Sequence, residues 1–329
     1  MAAPLLLMGR TKETEMSEWS NKEYVNWIYR TLLHRNADES GLDHFSNRLE
    51  SGEDLKNIVE SILVGEEYKA KMRAEEVDPL QISQRQRRQL TIVDVGARLL
   101  ATEDHIYAPL TKGALDWRAI GFEPQKHRIE ERSAAEPDPR LVLIEAFIGD
   151  GKEALFHTVN DDGSSSLLDL NLKFNADFDD IGGMRVVSTD VVKTSTLDET
   201  LAGETHIDFL KFDIQGFEAR ALSGAKDVLQ RTNVVHCEVF FGPMYHETAF
   251  FRDIDQILSE AGFEFIDFSH LNRYEYTSVP FKTAKRERLI WGDAVFFRKD
   301  VNNADDRIAQ ALIASMIYRK HGLAQTLLR

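Results

Sequence analysis

The sequence predicts an α/β protein, an open and mostly parallel doubly wound sheet, with a small all-helical domain ahead of it. Three observations predict this. Residues 207–210 are a buried-strand run that continues into Lys211-Phe212-Asp213-Ile214-Gln215-Gly216-Phe217-Glu218 and opens a helical pattern over 217–229. A strand, an acidic tip, a glycine and then a helix is how an open α/β sheet builds a ligand crevice at its carboxyl edge. Upstream, Thr91-Ile92-Val93 runs into Asp94-Val95-Gly96-Ala97 in the same way. Further on, Ala119-Ile120-Gly121-Phe122 ends at Glu123-Pro124, where an acidic residue meets a ribose in such folds. Two strand tips and a ribose acid describe a nucleoside-binding fold.

The elements follow in order. Residues 1–17 are expected as a disordered leader and 18–72 as the helical domain. Ser20 and Glu23 have capping-box spacing, and Tyr24, Trp27, Ile28 and Leu32 then make one apolar stripe. Asp38-Glu39-Ser40-Gly41 breaks the pattern. Leu42, Phe45 and Leu49 form a second stripe, and Leu55, Ile58, Val59, Ile62 and Leu63 a third. So small a core is marginal, so the domain is expected to dock on the rest of the chain or on another subunit, which leaves a homo-oligomer open. Residues 73–89 are polar, with Arg85, Arg87 and Arg88, and read as a linker or a solvated helix.

The α/β alternation spans 90–300. Strand one ends at Asp94, and a helix is expected over 106–115. Strand two ends at Phe122, with a helix from Gln125. Strand three covers 141–148 and stops at Gly149-Asp150-Gly151. Residues 154–159 and 185–194 read as extended, with Ser164-Ser165-Ser166 between them, an insertion that would lie near the crevice. Strand four covers 207–212, strand five 234–240 and strand six 263–268. Their helices carry Ala221, Ala225 and Val228, then Ile254, Ile257 and Leu258 up to Gly262. Residues 294–297 are expected as an antiparallel edge strand. Asn303, Asp305 and Asp306 open a C-terminal helix within 301–329.

Composition narrows the function. The 329 residues are 43% apolar, ample for a core, and carry a net charge of -15. That charge repels nucleic acid and anionic membrane. Pro4-Leu5-Leu6-Leu7-Met8 is too short for an export signal, and no run is long enough to span a bilayer. Cys237 is the single cysteine, so no intrachain disulfide forms, which fits a reducing, cytoplasmic setting. No cysteine/histidine spacing suits a structural zinc.

The glycine count narrows the nucleoside. A dinucleotide site needs several glycines against a pyrophosphate, and here Gly96 is followed by Ala97, Arg98, Leu99 and Leu100. S-adenosylmethionine has a ribose and an adenine but no phosphate, so it asks less of this loop. That favours a methyltransferase over an oxidoreductase.

At this point the chain resembles the FkbM-type S-adenosylmethionine-dependent methyltransferases. Asp94-Val95-Gly96-Ala97, Gly121-Phe122-Glu123-Pro124, Ser165-Ser166-Leu167, Thr196-Leu197-Asp198, the Asp208 to Glu218 element and Cys237-Glu238-Val239 carry the likeness, in order, over residues 90–270. The resemblance implies a Rossmann-like class I methyltransferase sheet and methyl transfer to a hydroxyl oxygen, often on a sugar or polyketide-type product. Residues 22–68, through Tyr29-Arg30-Thr31-Leu32-Leu33-His34-Arg35 and Gly65-Glu66-Glu67-Tyr68, resemble a helical domain of unknown function found beside glycan-modifying modules. The implied partner is a small-molecule or glycan acceptor. The chain departs from the family at Leu100, where many members have a second glycine, and at Gln215, where many have Glu.

Each candidate residue has a chemical reason. Asp94 and Gly96 are expected at the methionine–ribose end of the cofactor, with Glu123 on the ribose hydroxyls and Asp150 near the adenine amine. Asp213 is expected between cofactor and acceptor, taking the hydroxyl proton, orienting the acceptor or holding a divalent cation. Glu238 should lie beside it, so that the two could clamp Mg²⁺ or divide base and orienting roles. His246, in the loop after strand five, is a further candidate base, and His236 shares a face with Glu238. Lys211 should pair with an acid, and Glu218 sits in a first helical turn. The rival reading is a binding or assembly protein with degraded catalysis.

Overall fold

The computed structural model describes residues 19–33, 35–69, 79–99, 104–278 and 286–329. The expected leader, His34, Leu100 and residues 73–78 lie outside the described residues. The chain divides into two compact units, Met1–Val77 and Asp78–Arg329.

In the first unit the helices are Asn21–Leu33, Glu39–Glu50 and Leu55–Leu63. Ser20 and Glu23 exchange the expected capping contacts: Glu23 accepts from Ser20 N at 2.7 Å, and Glu23 N donates to Ser20 Oγ at 3.4 Å. The buried stripe of the first helix is Val25, Ile28, Tyr29 and Leu33, displaced one position from the expected one. The Trp19 ring lies 5.6 Å from Tyr24 and 6.5 Å from Trp27, and Tyr29 turns in against Phe45. Ile58 and Ile62 close the cluster.

In the second unit the strands are β1 (Leu90–Val95), β2 (Trp117–Glu123), β3 (Leu141–Glu145), β4 (Phe147–Ile148), β5 (Glu153–Val159), β6 (Val186–Ser195), β7 (Ile207–Phe212), β8 (Thr232–Phe240), β9 (Phe263–Tyr274) and β10 (Arg288–Arg298). Seven of them form a sheet in the order β3-β2-β1-β7-β8-β10-β9, and β4-β6-β5 form a second, smaller sheet. The pairings from β3 through β8 are parallel. Every residue of β1, β7 and β8 is buried, as sheets covered on both faces require. The winding reverses between β1 and β7, with β2 and β3 to one side and β7 and β8 to the other. That switch point is where carboxyl ends diverge into a crevice. The Rossmann-like architecture expected from the sequence is therefore present, with a small helical region ahead of it.

Local departures have physical causes. The helix expected over 106–115 is a single turn, Ala108–Thr111. Tyr107 is held by a 2.7 Å hydrogen bond to Asp94, and Pro109 suits a first turn. The strand expected over 141–148 splits, and β4 leaves the main sheet to pair with β6. The helix expected over 217–229 breaks into Glu218–Ser223 and Lys226–Gln230. Gly224 lies at the break because the chain passes Gly149 there: a Cβ on Gly224 would stand 2.5 Å from Gly149 O. The expected antiparallel strand is β10, which inserts between β8 and β9, so β9 takes the outermost place. The C-terminal helix Ala304–Met316 starts as expected, with Asn303 accepting from Asp305 N at 2.8 Å. Among the described residues no helix is long and apolar enough to cross a membrane.

Candidate active site

A cavity of about 700 Å³ opens at the switch point. Gly96, Glu123, Asp213 and Glu238 line it, and the insertion reaches it through Ser164, Ser165 and Ser166. Gly96 has φ +89, and a Cβ there would lie 2.0 Å from Asp213 O. The β1 loop thus rests directly on the backbone of the β7 tip, an approach open to glycine alone.

Asp94 differs from its expected placement: it forms the floor under the cavity and does not line it. Its carboxylate accepts from Tyr107 Oη at 2.7 Å, from the Arg132 guanidinium at 3.1 Å and from Lys211 Nζ at 3.3 Å. Burial alone would raise its pKa, but Lys211 and Arg132 outweigh it and hold the group at about 2. Lys211 also donates to Asp213 at 3.1 Å, so one ammonium ties the floor to the tip of β7. Burial works against its charge, and Asp213 and Asp94 still raise its pKa.

Glu123 is buried on the cavity wall, and its Oε1 accepts from Gln125 N at 3.0 Å. Burial raises its pKa against the pull of that amide and of Arg98. Asp150 is placed elsewhere. It sits in the turn after β4 with its carboxylate on Lys152 N and Nζ, both at 3.2 Å, and is not part of the cavity lining. His246 is exposed and also outside the lining; its amide donates to Asp169 O at 2.8 Å. Neither side chain lines the crevice: Asp150 is engaged by Lys152, and His246 is exposed.

Asp213 and Glu238 do come together, through a residue whose bridging role sequence reasoning missed. Gln215 Nε2 donates to Asp213 Oδ1 at 3.0 Å and to Glu238 Oε1 at 3.2 Å. Gln215 has φ +57, an arrangement that costs about 1–2 kcal/mol outside glycine. Contacts around it hold it there: Ser166 Oγ donates to its carbonyl at 2.6 Å, and the buried Tyr245 hydroxyl lies 3.1 Å from its Oε1 and 2.9 Å from Ser164 O. The family departure at Gln215 was the available signal. The amide lies across the two carboxyls where the sequence left room for a cation. Among the described residues no group of three His, Cys, Asp or Glu side chains is placed to hold a metal.

Around this pair the remaining groups are fixed. Glu238 is 4% exposed, and its Oε2 has no hydrogen-bond partner. Burial, then the carboxyls of Asp213, Glu218 and Asp293, push its pKa well above the usual range. His236 lines the cavity with its Nδ1 3.0 Å from Tyr318 Oη, and burial brings its pKa down to about 3. It is a neutral ring at physiological pH. Glu218 is buried outside the lining, accepts from Ile214 N at 2.9 Å and is raised to about 8 chiefly by burial. An aromatic wall was also missed: Trp291 Nε1 donates to Tyr274 Oη at 3.0 Å, and the His270 ring lies 5.3 Å from Trp291. All three come from β9 and β10, whose irregular register is not readable from one sequence.

The Methyltransferase FkbM domain matches residues 94–265, and a domain of unknown function (DUF4214) matches residues 9–72. No curated protein matches the chain. Among solved structures, the chain is similar to a methyltransferase FkbM from Methylobacillus flagellatus at 15% identity and TM-score 0.35, over 82% of this chain and 58% of that one. The chain therefore spans 58% of the length of that protein. A TehB-like SAM-dependent methyltransferase from Corynebacterium glutamicum is similar at 12% identity and TM-score 0.32, over 79% of this chain and 97% of that one. A magnesium protoporphyrin IX methyltransferase from Synechocystis is similar at 10% identity and TM-score 0.33, over 86% and 99%. With its ordered strand tips inside a match that covers more than half of its length, the chain belongs to the FkbM methyltransferase family.

Proposed function

We propose that this chain is an S-adenosylmethionine-dependent O-methyltransferase acting on a hydroxyl of a sugar or glycan intermediate. The observation that carries the reading is Asp213, a carboxylate at the switch point in one cavity with Gly96 and Glu123. The residues fit the cofactor. Gly96 keeps the loop free of a side chain, Glu123 offers a buried acceptor for ribose hydroxyls, and about 700 Å³ is room for a nucleoside and an acceptor together. S-adenosylmethionine supplies, when bound, a methyl group activated for transfer by its sulfonium charge.

The chain's own residues supply position and a place for the proton. Asp213 accepts the acceptor's hydroxyl proton, with Lys211 and Gln215 holding its carboxylate still. His236 is too weak a base for that task, with a pKa near 3. Trp291 and Tyr274 offer a fixed aromatic face against which the C–H side of a sugar ring can pack. The buried thiol of Cys237, raised by burial, is inert and suits a cytoplasmic setting.

Asp213→Asn should lower turnover about 10²–10⁴-fold, the usual range for a lost general base, while calorimetric binding of S-adenosylmethionine persists. Full activity in that variant would remove Asp213 from the mechanism. Glu123→Ala should weaken cofactor binding in the same titration. The rival reading, a binding or assembly protein on this fold, draws on the charge lost at Gln215 and predicts no cofactor binding by the folded wild-type protein.

A further inference from the structure

Arg98 brings to the cavity a positive charge that the proposed mechanism does not use. It follows Gly96 by two positions in the loop after β1, is half-buried, and lines the cavity with Gly96 and Glu123. Its guanidinium lies against the insertion. A Cβ on Gly163 would stand 3.1 and 3.3 Å from its two terminal nitrogens and 3.5 Å from its central carbon. Gly163 lines the same cavity, so the charged end of Arg98 is at the wall. Among the described residues this guanidinium makes no hydrogen bond or ion pair. The acids around it are engaged elsewhere. Glu123 feels the charge of Arg98, but its Oε1 accepts from Gln125 N at 3.0 Å. Asp161, just before the turn that holds Gly163, accepts from Ser164 Oγ at 2.6 Å. The other cations of the lining have carboxylate partners: Lys211 has Asp94 and Asp213, and Arg128 has Glu131 at 2.7 Å. Arg98 is thus a fork of donors, partly withdrawn from water, with no anion of its own. A guanidinium so placed suits a planar carboxylate, which it can hold by two parallel bonds.

Topology says which ligand brings that carboxylate. Arg98 follows β1, and Glu123 ends β2 beside it. The aromatic wall offered to the acceptor comes from β9 and β10, which β7 and β8 separate from β1. Arg98 therefore stands on the cofactor side, and S-adenosylmethionine carries a single anionic group, the carboxylate of its methionine. We infer that Arg98 binds this carboxylate and is the residue by which the chain selects a cofactor with an intact amino-acid end. The inference rests on the reading of the cavity as an S-adenosylmethionine site. Arg98 is then a specificity-determining contact supplied by a side chain, in a loop where Gly96 is followed by no further glycine up to Leu100.

The test is calorimetric binding to the full chain of two probes, S-adenosylhomocysteine and its decarboxylated form. The second keeps the adenosine, the thioether and the ammonium and lacks only the carboxylate. The wild type should bind S-adenosylhomocysteine about 10–100-fold more tightly than the decarboxylated probe, the usual worth of hydrogen bonds between charged groups. Arg98→Ala should lose about that factor for S-adenosylhomocysteine and stay within about threefold of wild type for the decarboxylated probe, so that the preference collapses. Arg98→Lys should fall between the two, because an ammonium keeps the charge and loses the fork. Equal binding of both probes by the wild type would overturn the inference and leave the cofactor reading in place. So would an Arg98→Ala protein that keeps the wild-type preference, including one with both affinities unchanged, which would assign the guanidinium to an anionic acceptor. Binding of neither probe by the folded wild type would overturn the cofactor reading itself, and the inference with it. The comparison of the two probes uses the wild-type protein and so stands even if Arg98→Ala does not fold.

Discussion

Asp94 and Glu238 are both carboxyl groups on fully buried strands of one sheet, and they end in opposite states. Asp94 is surrounded by Tyr107, Arg132 and Lys211, and its pKa falls to about 2 against the pull of burial. Glu238 has Asp213, Glu218 and Asp293 around it, and its pKa rises well above the usual carboxyl range. Depth is the same in both places, and the sign of the neighbouring charges decides the outcome. One carboxyl is locked into the floor of the site. The other is left with a buried oxygen that has no hydrogen-bond partner.

The sharpest way to break this contrast is to remove each charge in turn. Asp94→Asn leaves Arg132 and Lys211 buried without their shared anion, and should cost about 3–5 kcal/mol of stability by urea denaturation. Glu238→Gln removes no charge if Glu238 is already protonated, so its stability should stay within about 1 kcal/mol of wild type. Comparable losses in the two variants would mean that Glu238 is ionised in the folded protein.

Glu218 is the intermediate case. It is buried, it accepts from Ile214 N, and its pKa is raised to about 8, first by burial and then by Asp213. A folded pKa above the unfolded value of about 4.3 means a stabilising contribution that is full below that value. It is lost as pH rises toward 8. Between pH 5 and 8 the wild type should therefore lose stability relative to Glu218→Gln, by on the order of a few kcal/mol. Denaturation curves for both proteins at the two pH values check this. A difference that stays constant with pH would show that Glu218 titrates normally.

The same contrast explains what could be read before the structure was known. The tips at Gly96, Glu123, Asp213 and Glu238 were legible because each ends a buried strand run, and strand ends of this fold converge on one crevice. The burial of Asp94 was not legible, since it depends on Arg132 and Tyr107, which arrive from a helix and a single turn elsewhere. Asp150 and His246 also follow strands, yet neither lines the cavity. A strand's end says where the chain is, but the turn after it sets where the side chain points. Gln215 was noticed as a departure from the family. Its grip on two carboxyls depends on a left-handed backbone conformation that the residue type does not announce.

Tyr245 tests how firmly that grip is held, and its expected effect is the smallest. The ring packs edge-on against Phe240 at 5.8 Å, so Tyr245→Phe keeps the packing and deletes the hydroxyl alone. That hydroxyl lies between Ser164 O and Gln215 Oε1. Its loss should cost about 0.5–1.5 kcal/mol, the net worth of an ordinary hydrogen bond. If the hydroxyl fixes the orientation of the Gln215 amide, turnover should also fall a few-fold, with binding of S-adenosylmethionine unchanged, because the donors to Asp213 and Glu238 become mobile. Stability and steady-state rates measured on one preparation separate the two effects. A stability loss with no change in turnover would mean that Ser166 and the backbone at Gln215 suffice to aim the amide, and that Tyr245 serves the fold of the loop alone.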